Sequence, residues 1–265
     1  MNNLVVFLTS LLIHATVLYL LLFFVIHWFI SVFFQTTFLH RYASHKMFTT
    51  GKVREKIFHF LTWLSQGPSY LVPRAYAVMH RMHHEFSDTE KDPHSPHFVK
   101  DVVSMMVKTR EIYAGFASDK LSAASKYYHD LPVWKTFEAF ADHFITRLSW
   151  AVLYSLFYFF LIFKFDLSFF WLLLLPIHFL MGPIHGAIVN WCGHKYGYRN
   201  FKSADESRNT EPFGLFLMGE LFQNNHHRFP ASANFAKKWF EFDPTYFILV
   251  IMHHLGIIKL IKTNN

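Results

Sequence analysis

Long apolar runs alternate with polar, histidine-rich segments along this chain. Residues 1–40 contain no Asp, Glu, Lys or Arg and consist largely of Leu, Phe, Val and Ile. As one α-helix this run would be about 60 Å long, about twice the thickness of the hydrocarbon core of a bilayer. We therefore predict a hairpin of two short membrane spans, near residues 4–19 and 22–39. The run has neither the basic start nor the small-residue cleavage site of a secretory signal peptide.

A second apolar hairpin is predicted towards the C-terminal half. Its arms lie near residues 148–163 and 167–189, and Lys164 and Asp166 separate them. Pro176 and Pro183 should kink the second arm, while its glycines offer a surface for close helix packing. The predicted fold class is an all-α integral membrane protein with four transmembrane helices in two hairpins, in a single domain over residues 1–265.

The polar segments 40–147 and 190–265 are predicted to form a cap on the cytoplasmic side. Of the 25 Lys and Arg residues, fifteen lie between Arg41 and Arg147 and nine between Lys195 and Lys262. If both hairpins form, these 24 residues share one side, and the positive-inside tendency makes that side cytoplasmic. Within the cap, residues 98–147 resemble amphipathic helices, and residues 246–261 resemble an interfacial helix.

Composition narrows the classes of function. The net charge of +7 would attract an acidic partner protein and anionic lipid headgroups, but the basic residues follow the predicted sidedness, so nucleic-acid binding is not expected. A single cysteine, Cys192, excludes an internal disulfide, an all-cysteine zinc site and a cysteine-ligated iron–sulfur cluster. Histidine is unusually abundant, with 19 residues against 18 carboxylates.

Eight of these histidines fall into groups with informative spacing. Residues at i, i+3 and i+4 share one helix face, as do those at i and i+4. The positions that fit this rule are His80, His83 and His84; Asn190 and His194; and Gln223, His226 and His227. The remaining pair, His40 and His45, would lie about 140° apart on an α-helix. The helix must end or unwind there if both rings face one centre.

Imidazole is the commonest side-chain metal ligand, and eight exceed the three or four protein ligands of one zinc ion. Nitrogen donors in this number suit two first-row transition metals, and spacing alone leaves iron, copper and zinc open. Any one of these histidines, taken singly, is more often a structural residue. The predicted number of crossings between the groups is even, so all of them reach the same membrane face.

The segments HRYASH, HRMHHEFSDTEKDPH, NWCGHKYGYRNF and GELFQNNHHRFP together resemble the integral-membrane fatty acyl desaturases, specifically the stearoyl-type delta-9 (acyl-CoA desaturase) branch. The resemblance covers roughly residues 36–260. It implies oxygen-dependent insertion of a cis double bond into a long-chain acyl substrate by two iron ions. It also implies that Asn190 holds a metal-bound water and that the metal ligands are His40, His45, His80, His83, His84, His194, His226 and His227.

Two positions depart from that branch. Gln223 stands where its third histidine motif begins with histidine, and a glutamine amide would be a weaker oxygen ligand or orient a water. Val78 and Met79 replace an Arg-Asp pair whose arginine serves the CoA headgroup, and the nearest preceding arginine is Arg74. The acyl carrier therefore stays open between CoA, phospholipid and acyl carrier protein.

Other residues are assigned supporting roles. Glu85, Asp88, Asp92 and Glu220 are candidates for fixing imidazole tautomers through the second ring nitrogen, although surface ion pairs explain them equally well. Five further histidines are assigned to supporting or surface positions: His59, His94, His97, His129 and His143. No haem domain or G-x-G-x-x-G element is visible, so electrons must come from a separate ferredoxin or cytochrome b5 type protein with a NAD(P)H-dependent reductase.

Three alternative functions stay open at the sequence level. The same metal scaffold could serve a lipid hydroxylase or another oxygenase. A transporter or haem protein could use the intramembrane histidines, which are His14, His27, His178 and His185. A catalytically inactive relative that senses lipid would explain Gln223.

Overall fold

The first apolar run forms one continuous helix. The computed structural model describes residues 2–261, with side chains from Ala15 onwards, and α1 extends from Asn2 to Phe34. The predicted turn between residues 19 and 22 is therefore wrong. Leucine, which favours helix, fills this stretch, and no Gly or Pro interrupts it, so nothing local breaks the hydrogen-bond ladder. Bilayer thickness alone was too weak a reason to place a turn.

A π-helix, Gln35–Ser44, continues directly from α1, and all ten of its residues are buried. Beyond it the chain folds into mostly short helices. Two strands, β1 (Phe48–Thr49) and β2 (Lys259–Leu260), pair antiparallel and join the start of this region to its end. The all-α prediction is thus wrong in this detail. The next four helices are α2 (Lys52–Gln66), α3 (Pro73–Phe86), α4 (Val102–Ala117) and α5 (Lys135–Ala141).

The second apolar region forms the predicted hairpin. Helix α6, Phe144–Phe165, ends at Asp166, whose left-handed backbone stops the helix. A 3₁₀ segment then leads into α7 (Leu175–Phe179) and α8 (Met181–Lys195), and the chain bends by 69° between these two helical stretches. Pro176 and Pro183 lie in the first turns of α7 and α8, which confirms the predicted kink. Two helices complete the fold: α9 (Gln223–Arg228) and α10 (Pro244–His254).

Two helical stretches in the described chain are long and apolar enough to cross a membrane. They are Ala15–Ser44 and Phe144–Phe165, and the bent pair α7–α8 with its 3₁₀ lead-in makes a third if it counts as one span. The predicted total of four is larger, because the first hairpin is absent. If the bent pair is one span, it and α6 make two crossings between the first two histidine groups and the last two, which is the even number predicted.

Three histidines of the apolar helices form hydrogen bonds with neighbouring segments. His27 Nε2 lies 2.8 Å from the carbonyl of Ser65, so it carries the proton, and its Nδ1 accepts from His178 Nδ1 at 2.6 Å. The remaining nitrogen of His178 accepts from the Tyr158 hydroxyl at 2.8 Å. His185 Nδ1 lies 3.3 Å from the Gln35 amide oxygen. The side chain of His14 lies outside the described residues.

Candidate metal site

The π-helix solves the spacing problem of the first histidine pair. Its hydrogen bonds join residues five apart, and the N–H of His45 donates to the carbonyl of His40 over 3.3 Å. Residues five apart therefore lie nearly above one another, and the two ring centroids are 5.1 Å apart. The prediction that the α-helix unwinds here is confirmed. A long π-helix is rare, and such segments often occur at functional sites.

The structure brings all eight predicted histidines into two adjacent groups. Helix α3 supplies His80 and His84 to one group and His83 to the other, while α9 divides His226 and His227 in the same way. The larger group is His40, His45, His80, His84 and His226, and the smaller is His83, His194 and His227. Within each group the candidate donor nitrogens lie within 4.8 Å of one another.

Carboxylates fix the ring orientation of four of these histidines. Each accepts a hydrogen bond from Nδ1, so that nitrogen carries a proton and Nε2 is the ring atom left to face the cluster. The four pairs are His40–Glu220 at 2.6 Å, His83–Asp92 at 2.9 Å, His194–Asp88 at 2.8 Å and His227–Asp205 at 2.7 Å. The Nε2 of His194 is buried and has no hydrogen-bond partner among the described residues.

Burial favours the neutral form of several histidines in the cluster. Desolvation, followed by repulsion from neighbouring histidines, lowers the pKa values of His45, His80, His84 and His226 well below the ordinary value. These imidazoles are therefore neutral at pH 7. His83 and Asp92 behave differently. Burial disfavours both charges, but the attraction between the two side chains outweighs it, so the pKa of His83 is raised and that of Asp92 is lowered.

The donor set fits first-row metal ions. In the larger group, four pairs of Nε2 atoms lie within hydrogen-bond distance. The pairs are His45–His80 at 2.8 Å, His80–His84 at 3.0 Å, His84–His226 at 2.9 Å and His226–His40 at 2.9 Å. Three of these nitrogens each contact two others, which exceeds what one proton or lone pair can satisfy by hydrogen bonding. Two ligands 2.0–2.1 Å from one ion at a right angle are about 2.9 Å apart. A shared cation would relieve the crowding of lone pairs.

Comparison with known proteins agrees with this geometry. A fatty acid desaturase family model matches residues 9–245. The chain belongs to the fatty acid desaturase family. Delta-9 desaturase-like 5 protein of Arabidopsis thaliana is 28% identical over 84% of this chain and 70% of its own length. An sn-1 stearoyl-lipid 9-desaturase of Synechocystis sp. is 30% identical over 84% and 65%, respectively. A hex-5-enoyl-[acyl-carrier protein] acetylenase of Moorena producens is 26% identical over 89% and 74%.

These matches confirm the family and its delta-9 type resemblance. The protein is an acyl desaturase and hence an oxidoreductase, and its histidine groups are consistent with the metal site that such an enzyme needs. Desaturation also requires an acyl substrate and oxygen.

Gln223 of this desaturase lies against α8. Its amide nitrogen donates to the carbonyl of Glu220 at 2.7 Å, which leaves the amide oxygen as its free end. A Cβ atom added to Gly193 would lie 2.5 Å from Gln223 Cγ, so the glycine beside His194 makes room for the glutamine. Asn190 lies on α8, one turn before His194, and is partly buried.

The predicted carboxylates divide between the site and the surface. Asp88, Asp92 and Glu220 contact histidines of the two groups, whereas Glu85 is exposed and accepts from Lys126 at 2.6 Å and from Tyr127 at 2.8 Å. The supporting role predicted for Glu85 is therefore wrong, because its side chain leaves α3 away from the cluster. Sequence reasoning missed Asp205, which lies outside every histidine motif and reaches His227 through the loop between α8 and α9.

His94, predicted at a supporting or surface position, is buried beside His83. The two ring centroids are 4.3 Å apart, and neither nitrogen of His94 has a hydrogen-bond partner among the described residues. Its donor atoms form a third close group with those of His83 and Asp92. Burial lowers the pKa of His94 to about 3.

Buried polar residues hold the third motif in place. Asn225 donates to the carbonyl of Phe235 and to Glu241, both at 2.8 Å, and accepts from Asn200 at 2.8 Å and Asn209 at 3.0 Å. Every hydrogen-bonding position of this amide is used, which fixes the short helix α9. Sequence reasoning missed this role; the only available clue was two adjacent asparagines before the histidine pair.

Arg41 anchors the other side of the larger group. The side chain is fully buried, donates to Asp243 at 2.7 Å and to Glu220 at 3.2 Å, and stacks on the Phe235 ring at 3.9 Å. Because Glu220 also bonds His40, the arginine fixes the carboxylate that orients this histidine. A buried guanidinium without a carboxylate partner would destabilise the fold, so Asp243 and Glu220 are needed to keep Arg41 in this position.

Proposed function

We propose that this desaturase introduces a cis double bond, of delta-9 position, into a saturated long-chain acyl group in an oxygen-dependent reaction. The observation that carries the proposal is the convergence of eight imidazoles whose candidate donor nitrogens lie within 4.8 Å of one another in each of two groups. The stearoyl-lipid 9-desaturase similarity supports the position of the bond.

Two iron ions are the proposed cofactors. The larger group would hold one ion, and His83, His194 and His227 would hold the second. Asn190 and Gln223 are proposed to hold a water or to donate a weak oxygen ligand. Bound iron would supply, with oxygen, the oxidising power that no side chain has. Four carboxylates accept hydrogen bonds from ring Nδ1–H groups and so orient these imidazoles. Burial keeps His45, His80, His84 and His226 neutral.

A lipid-linked acyl chain is the proposed form of substrate. Arg74, the residue nearest to the CoA-binding arginine of the resembled branch, is occupied. It donates to Asp119 at 2.6 Å and to the carbonyl of Phe116 at 3.1 Å, which closes the C-terminal end of α4. A basic side chain committed to its own protein is a poor receptor for a phosphorylated carrier. Acyl-CoA and acyl carrier protein are the alternative carriers, which the assay below distinguishes.

We further propose a multi-pass protein whose active site faces the cytoplasm. Twenty-four of its 25 Lys and Arg residues lie outside the charge-free runs on that side. The net charge of +7 favours an acidic electron-transfer protein of ferredoxin or cytochrome b5 type, served by a NAD(P)H-dependent reductase.

The test is expression of the full chain in a desaturase-deficient bacterium or yeast, with gas chromatography of total fatty acids in air and without oxygen. We expect a new monounsaturated acid only in air, and none from a His83→Ala variant. A hydroxylated lipid without an alkene would replace the desaturase by a hydroxylase. A Soret band in the purified protein, with no new alkene in air, would favour a haem protein, and full desaturation by the His83→Ala variant would exclude His83 from the metal site. Fractionation of lipid and CoA pools identifies the carrier.

A further inference from the structure

The loop from Glu211 to Gly219 carries large apolar side chains on its outer surface. Phe213, Leu215 and Phe216 are 62%, 56% and 48% exposed. Neighbouring side chains of this size would leave a substantial apolar area in water, at a cost of about 25 cal/mol for each Å². A contiguous patch of this kind usually marks an interaction surface.

Helix α10 extends the patch. A Cβ atom on Gly214 would lie 2.2 Å from the carbonyl oxygen of Phe242, so the loop is in direct contact with the segment before α10. The rings of Phe242 and Phe247 are 6.3 Å apart, and Ile251 follows one turn later on the same face. These three are also exposed. We call the set the apolar platform: Phe213, Leu215, Phe216, Phe242, Phe247 and Ile251.

The apolar platform is continuous with a membrane span. Trp28, in the stretch Ala15–Ser44, donates its indole N–H to the carbonyl of Phe216 at 3.0 Å, and the two rings are 5.1 Å apart. Trp28 lies twelve residues before His40, about 18 Å along an α-helix. The tip of the loop therefore lies beside the apolar part of α1, several helical turns before His40 and its histidine cluster.

Several backbone groups of the loop are hydrogen-bonded within the protein. Besides the Trp28 bond, the N–H of Phe216 donates to the Glu211 carboxylate at 3.0 Å, and that of Gly219 donates to the Gly214 carbonyl at 2.8 Å. The Met218 carbonyl accepts from the Thr245 hydroxyl at 2.8 Å. Irregular backbone is tolerated at membrane depth only when its polar groups find partners within the protein. Exposed apolar side chains beside an apolar helix, on a loop whose backbone is paired in part within the protein, favour a lipid environment.

We propose that the apolar platform is inserted among the acyl chains of the bilayer that α1 crosses. This inference rests on the proposed membrane location and adds an attachment that the spans do not provide. Glu220 follows the loop directly and bonds His40 at 2.6 Å, so insertion would fix the metal site relative to the lipid surface.

Site-directed labelling of the full chain in liposomes tests the proposal. Single cysteines are introduced in a Cys192→Ala background and labelled with the fluorophore NBD, which is quenched by nitroxide-labelled lipid tails or by aqueous iodide. Phe213→Cys is the test position. Leu156→Cys, on the exposed face of α6, is the lipid control, and Lys120→Cys, in the loop after α4, is the aqueous control.

We expect the labels at residues 213 and 156 to be quenched by the lipid nitroxide and to be several-fold less sensitive to iodide than the label at residue 120. Iodide quenching at residue 213 as strong as at residue 120 would overturn the proposed insertion of the apolar platform and leave the proposed membrane spans intact. Protection at 213 from both quenchers would also overturn it, since protein would then cover the patch. If residue 156 is also accessible to iodide, the proposed span α6 fails together with the platform.

Discussion

Asp205 Oδ2 lies 2.7 Å from His227 Nδ1, so an aspartate remote from the histidine motifs orients one ring of the smaller group. Ser203 and Ser207 donate to its other oxygen, at 2.7 and 2.5 Å, and hold the carboxylate in place. The hydrogen bond with His227 lowers the pKa of Asp205 despite its burial. The carboxylate is therefore ionised at pH 7 and keeps the lone pair of His227 on Nε2.

Asp205→Asn should weaken metal binding about 10- to 100-fold, as loss of such a carboxylate partner does in other metal sites. Metal retained after dialysis against graded chelator, measured by elemental analysis, gives the affinity. Glu85→Gln is the matched control, since its carboxylate is at the surface and should leave metal content unchanged. Equal retention by wild type and Asp205→Asn would exclude a role for this aspartate at the site.

Gln223→His should retain or raise metal occupancy. The side chain packs beside Gly193 at the smaller group, which has three histidines against five in the larger one. An imidazole there would add a nitrogen donor stronger than the amide oxygen. The ratio of metal to protein in the purified variant is the measurement. If the substitution abolishes binding while the wild type holds two metals, the side chain does not face the centre.

Two glycines of α8 provide a paired test of the α8–α9 contact. Gly193→Ala would force a methyl group to within 2.5 Å of Gln223 Cγ, and should lower metal content by displacing α9. Gly186→Ala meets nothing within 4 Å and should be neutral or stabilise the helix by up to about 1 kcal/mol. Metal analysis and thermal unfolding of both variants distinguish the effects. Identical behaviour of the two would mean that the close packing has no consequence for the site.

The site was more predictable than the fold around it. Helical spacing placed His80, His83 and His84 on one face, and an awkward spacing of five correctly indicated that the helix changes between His40 and His45. The spacing contained no information on the chain reversals that bring Asp205 to His227. Adjacency to His84 was misleading for Glu85, since neighbouring helix residues point in different directions.

The error in α1 has a different cause. The lengths of apolar runs predict how many spans could fit, but a turn requires residues that break a helix, and the stretch around Leu20 has none. In the second apolar region Asp166 and two prolines supplied those residues, and the hairpin and its kink were both predictable. Predicting a hairpin from the length of an apolar run therefore works only where helix-breaking residues mark the turn.

Stability in acid should depend on His59. This buried side chain bonds the Tyr70 hydroxyl at 2.7 Å, and desolvation lowers its pKa to about 4. The unfolded chain takes up this proton near pH 6.5 and the folded protein only near pH 4, so the contribution is fully present above pH 6.5 and is lost between these values. At pH 5 the loss is about 2 kcal/mol.

Thermal unfolding between pH 7.5 and 5 measures this dependence. His59→Gln retains a polar partner for Tyr70 but cannot titrate, so we expect it to lower the unfolding temperature at pH 7.5 and to flatten the acid-induced decrease. His129→Gln, at an exposed position, is the control and should follow the wild-type pH profile. An unchanged slope in the His59→Gln variant would assign the acid sensitivity to the cluster histidines whose pKa values are also lowered, namely His45, His80, His84 and His226.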